Sequence, residues 1–116
     1  MERGDVIEVD LRNPPGGAGH EQAGKRPVVV ISDADSEPDN PLMIIVPFTS
    51  DHPAKRRFPH VLPISSSTQN GLLVASLLLA FQIRALDKRR MVKIIGKLET
   101  NYMTQLEQSL RELMRL

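Results

Sequence analysis

Apolar residues in this chain come in short bursts set off by prolines and glycines, and that spacing restricts it to a fold of brief strands. Nine prolines and seven glycines are scattered through 116 residues. Only the segment from Thr100 onward repeats its apolar residues (Met103, Leu106, Leu110, Leu113, Met114) at helical intervals. Residues 6–11 alternate, with Ile7, Val9 and Leu11 on one face and Glu8 and Asp10 on the other. Residues 28–31 (VVVI) are apolar without alternation, as in a strand buried on both faces, and Pro27 opens that strand where a missing N–H is tolerated. A third strand, residues 42–46, runs out through Pro47-Phe48-Thr49-Ser50. Residues 51–57 (DHPAKRR) read as a basic loop, and residues 58–64 as an edge strand limited by two prolines. Residues 72–74 and 76–85 read as the longest strand, with Gln82 and Arg84 at its far end, and residues 91–98 as the last one. Thr100 is placed to cap the single helix. The expected fold is mainly β with a C-terminal helix: a small, partly closed β-barrel with the helix packed on it, in one domain spanning residues 1–116.

Hydrophobic residues make up 41% of the chain and charged ones 25%, with a net charge of +1 that by itself points to no polyanionic partner. The distribution points elsewhere. Residues 52–97 carry nine Lys or Arg against one acid, Asp87, whereas residues 1–51 carry four basic and ten acidic side chains. Such opposed halves suit a molecule that turns one surface toward a polyanion. The longest apolar run, residues 71–81, is well short of the roughly 20 residues that span a bilayer. No basic-then-apolar leader precedes Gly4-Asp5 and there is no cysteine, so the expected location is cytoplasmic, away from any membrane.

Several chemistries find no pattern. His20, His52 and His60 are far apart, with neither an HExxH nor a cysteine to make a metal site. No G-x-S-x-G marks a serine nucleophile, and Gly16, Gly17 and Gly19 precede a strand instead of a helix, unlike a phosphate-cradling loop. No metal and no cofactor are therefore expected. What remains is polar groups at strand ends: His20, Glu21 and Gln22 in one loop, Lys25 and Arg26 opening the second strand, Thr49 and Ser50 closing the third. Antiparallel pairing of those two strands through residues 33–40 brings Arg26 within reach of Thr49. A guanidinium fork and a hydroxyl suit a phosphodiester, and RNA brings its own nucleophile in the 2′-hydroxyl.

Arg3-Gly4-Asp5-Val6, GHEQAGKRPVVVIS at 19–32, VPFTS at 46–50, QIRALDKRR at 82–90 and IGKL at 95–98 occur in collinear order. Together they resemble the MazF/PemK family of toxin endoribonucleases over roughly residues 3–112. The resemblance implies an SH3-like barrel homodimer that cuts single-stranded RNA without a metal, leaving a 5′-hydroxyl and a 3′ or cyclic 2′,3′ phosphate. It also implies an antitoxin whose flexible tail covers the RNA groove. The family's arginine falls on Arg26 and its hydroxyl residue on Thr49, with Glu21 and Gln22 shaping the groove and Gln82 and Arg84 facing it. His20 stands where many members have serine and a PemK-like branch has histidine, which makes it the candidate for proton transfer. Phe81 stands where members usually carry an acid, so a carboxylate base has no counterpart there.

Lys55 and Arg56, with Arg57, suit phosphate or antitoxin contact. The four aromatics, Phe48, Phe58, Phe81 and Tyr102, are expected mostly in the core, leaving base stacking a minor role unless Phe58 or Phe81 is exposed. Two rival readings use the same barrel. One is a protein-binding toxin like the gyrase inhibitor CcdB, which does not share the G-x-E-Q-x-G-x-R-P piece. The other is a module that binds RNA or antitoxin without cutting.

Overall fold

The computed structural model describes residues 1–11 and 24–116; His20, Glu21 and Gln22 lie outside them. Seven strands, β1 (Asp5–Asp10), β2 (Lys25–Val30), β3 (Leu42–Ser50), β4 (Val61–Ile64), β5 (Ser76–Leu79), β6 (Arg84–Asp87) and β7 (Met91–Lys97), are joined by a short helix α1 (Pro53–Arg56) and closed by α2 (Thr100–Met114). All described pairings are antiparallel, in the order β4-β5-β3-β2-β1-β7, with β6 pairing β3. The sheet follows the expected β-barrel plan but stays open, since no pairing joins β4 to β7 among the described residues.

Alternation along the strands divides the apolar side chains between two cores. Val6, Val29, Val46 and Phe48 face α2, where Leu106 and Leu110 are buried against them. Ile7, Val9, Val28, Val30, Met43, Ile45 and Leu86 fill the opposite face. Residues 28–30 are fully buried because consecutive side chains enter opposite cores, as the VVVI run implies. Burying Leu106 and Leu110 contributes about 4 kcal/mol toward docking the helix. Met103 and Leu113 flank that stripe, while Met114 falls off it and is exposed.

The expected long strand over residues 76–85 is broken, and residues 72–74 are not a strand. β5 and β6 pair with the same edge of β3, Leu78 opposite Phe48 and Arg84 opposite Ile45. Three steps along β3 thus answer six along its partner, and the surplus is looped out as a single 3-10 turn at Ala80–Gln82.

The expected loop after β3 is partly helical. The Nδ1 of His52 accepts from the Ala54 N–H at 3.1 Å, and Pro53 begins α1 at a position that needs no N–H. The edge strand starts at Val61, leaving Phe58 before it, and His60 turns the chain with a φ of 58°. Glu99, not Thr100, is the N-cap of α2, and its side chain bonds no helix N–H. Its carboxylate accepts instead from Ser67 Oγ at 2.8 Å and from Asn70 Nδ2 at 3.1 Å, tying the turn over residues 65–70 to the helix start. That turn packs hard on β7: a Cβ on Gly96 would lie 2.4 Å from the carbonyl carbon of Asn70.

Candidate active site

The register of β2 and β3 sets Val28 opposite Pro47, and Val28, Val30, Met43 and Ile45 share one buried face. Arg26 precedes Val28 by two residues and Thr49 follows Pro47 by two. Both therefore stand on that same face, just beyond the last paired residues of the two strands. The antiparallel pairing of these two strands, expected from the sequence, is present. Both line a groove of about 520 Å³ together with Lys55, Gln82, Arg84 and Arg90. Among its described lining residues are four cations and no carboxylate.

Thr49 is only 8% exposed, and its Oγ1 accepts a hydrogen bond from Lys55 Nζ at 2.7 Å. An ammonium donates and cannot accept, so the hydroxyl proton of Thr49 is free of this contact and can be given to a ligand oxygen. Helix α1 makes the contact by turning Lys55 back over the end of β3. Arg56, the next residue, does not line the groove. Its Nε donates to Asp51 Oδ1 at 2.8 Å, its Nη2 bonds the other carboxylate oxygen, and this fork holds the Asp51 carboxyl below its ordinary range.

The basic excess of residues 52–97 is thus divided. Lys97 bonds Glu2 at 2.9 Å, and Lys88 donates to the carbonyls of Ala34 and Glu37. Arg89 pairs with Asp87, whose carboxyl is lowered to about 2 chiefly by the Arg89 side chain and then by the Arg89 backbone N–H. Lys55, Arg84 and Arg90 remain at the groove, Arg90 positioned by a 3.2 Å bond from Nη1 to the Asp10 carbonyl.

A second hollow, of about 460 Å³, is lined by Lys25, Ser50, Lys93, Leu73 and Val74 and shares Arg26 and Thr49 with the first. Of the residues expected at the site, Arg26, Thr49, Lys55, Gln82 and Arg84 meet in the first hollow, and Lys25 and Ser50 in the second.

Arg90 at the groove is not among the residues the sequence singles out for binding, and Phe58 and Phe81 are named there only for the case of exposure. Arg90 lay unremarked in a basic turn. Phe58 is 48% exposed, and its ring meets that of Phe81 at a centroid distance of 5.7 Å, which is the exposure on which a stacking role is conditional. Phe48 is in the core, and the Tyr102 hydroxyl accepts from the Ser65 N–H at 3.1 Å.

The profile of a family described as PemK-like, MazF-like toxins of type II toxin-antitoxin systems matches residues 2–114. The chain belongs to that family. It is 32% identical over 111 residues to endoribonuclease EndoA of Bacillus subtilis, a match covering 96% of this chain and 91% of that protein. Among solved structures, MazF from Deinococcus radiodurans superposes with a TM-score of 0.75 at 24% identity, covering 100% of this chain and 97% of that one. A MazE-MazF complex from the same organism gives 0.77 at 24% identity, covering 100% and 96%. An endoribonuclease bound to its cognate antitoxin, from a mycobacterial species, gives 0.74 at 20% identity, again covering 100% and 96%. In this MazF-like toxin the antiparallel sheet and C-terminal helix are therefore the fold of the family. No described helix is long and apolar enough to cross a membrane.

Proposed function

We propose that this chain is the cytoplasmic toxin of a type II toxin-antitoxin pair, a single-domain endoribonuclease that cuts single-stranded RNA at short sequences without a metal. The observation that carries the reading is the placement of Arg26 and Thr49 on one face of adjacent strands, in a groove whose described lining holds four cations and no carboxylate. The 2′-hydroxyl attacks the adjacent phosphorus and the 5′-oxygen leaves, giving a cyclic 2′,3′ phosphate and a 5′-hydroxyl. Arg26 stabilises the charge gathering on the phosphorane oxygens and Thr49 donates to one of them. His20 is assigned the proton transfer, and Glu21 and Gln22 the walls beside the scissile bond. Lys25, Ser50, Lys55, Arg56, Gln82 and Arg84 are assigned to RNA binding, with Arg56 contacting RNA by releasing Asp51.

The working unit in this reading is a homodimer, and the exposed Leu73 (96%) and Val74 support pairing through that side. The antitoxin is assigned a flexible tail that lies in the same groove. A second reading, a module that binds RNA or antitoxin without cutting, is favoured by Phe81, which brings a ring to the groove where relatives usually have an acid. Incubation with mixed single-stranded RNA, with and without EDTA, followed by mapping of fragment ends, separates the two. Cutting that resists EDTA and leaves 5′-hydroxyl ends is expected, and a folded Arg26→Ala variant is expected not to cut. Cutting by that variant at the parental rate would overturn the mechanism; intact RNA with the parent protein would favour the second reading.

A further inference from the structure

Phe58 and Phe81 belong to neither apolar core. They come from unrelated segments, one just after α1 and the other from the looped-out turn between β5 and β6, and meet with their planes inclined by 38°. Phe58 gives nearly half its surface to solvent, although it is an aromatic in a chain with only three phenylalanines. Both rings line the groove beside Thr49, Lys55 and Arg84. Phe81 is half-buried and Phe58 exposed, so the pair presents an open ring face at the groove. A flat hydrophobic surface next to closely placed cations fits a ligand that joins a flat π-system to an anion, which an unpaired nucleotide does.

We infer that Phe58 and Phe81 form a stacking platform for one unpaired nucleobase of the RNA beside the cut, and so help to set which sequences are cleaved. The inference rests on the proposed endoribonuclease reading. Stacking needs only a π-face, so the platform favours bases by area, purines above pyrimidines, while Gln82 beside it supplies hydrogen bonds. The antitoxin peptide is the competing occupant, but a peptide lying there would have to bring acids for the cations and a side chain for the rings, whereas each nucleotide carries both.

The test uses a short RNA containing the sequence found by end mapping, with each nucleotide in turn replaced by an abasic one. For the parent protein, one position near the cut is expected at which loss of the base lowers kcat/KM by roughly 10- to 100-fold. Phe58→Ala and Phe81→Ala, checked for an unchanged far-ultraviolet spectrum, are expected to lose as much on intact RNA. The abasic substitution should then cost either variant less than about threefold, and Phe58→Tyr should behave like the parent. If the parent binds RNA without cutting it, the same comparison is read from Kd on a short single-stranded RNA that it binds.

The platform is refuted if either alanine variant handles intact RNA as the parent does, or if the abasic penalty persists undiminished in both. Variants that keep the parental abasic profile but lose affinity for the antitoxin tail would assign the rings to the peptide instead. A parent that neither cuts nor binds RNA defeats the functional reading and this inference together. A parent that cuts while the variants are indifferent defeats this inference alone.

Discussion

Replacing Thr49 with valine separates a hydroxyl that holds the fold from one that acts on substrate. Valine keeps the shape of the 8% exposed side chain and deletes only the oxygen to which Lys55 donates at 2.7 Å. Lys55 is half-buried with access to solvent, so water takes over its freed donor. The loss of stability should stay below about 1.5 kcal/mol. For a chain of this length that is a fall in Tm of no more than about 6 °C, measurable by circular dichroism.

Activity should respond on another scale, because removing one donor aimed at a developing oxyanion costs about 100- to 1,000-fold in kcat. Lys55→Met completes a double-mutant cycle. If the lysine acts by turning the hydroxyl proton toward the phosphate, its removal should cost at least about tenfold less in the Thr49→Val background than in the parent. The readout is single-turnover cleavage of a labelled RNA. A Thr49→Val protein that cuts within threefold of the parent would refute the assignment of that hydroxyl, and losses that simply multiply would refute the coupling to Lys55.

Gly96→Ala should place a methyl within 2.5 Å of the Gln69 and Asn70 carbonyl oxygens, backbone that cannot step aside, and should lower stability by about 2–3 kcal/mol in a thermal melt. Four groove cations should give RNA binding a log–log salt slope near −3, and Arg84→Ala should flatten it by about 0.7, as read by fluorescence anisotropy with a 2′-deoxy substrate. The Asp87 carboxyl, lowered from 3.8 to about 2, favours the folded state while ionised. Its contribution is complete above about pH 4 and lost as pH falls through about 2. Arg89→Ala should move its midpoint toward 3.8 in a carboxyl NMR titration.

That Arg26 and Thr49 stand at the same end of two neighbouring strands was legible in the sequence, because strands joined through one short connection pair antiparallel and bring their outer ends together. The run SLLLAFQIR reads as one strand, since it contains no proline or glycine to mark a break. Its interruption comes from how β5 and β6 share an edge of β3, a tertiary matter no local pattern records. The exposure of Phe58 follows from the same limit, because a phenylalanine beside a proline-bounded apolar segment reads as part of it. Lys55 and Arg56 are neighbours in a basic run, and only the turn of α1 sends one to Thr49 and the other to Asp51.

The turn at Ala80–Gln82 lies between two ladders that are each anchored independently on β3. A residue added to or removed from it would leave both ladders in register while shifting Phe81 and Gln82 along the groove floor. Variation in its length is thus a route by which relatives of this toxin can change the sequences they accept without any change in the core that keeps them folded.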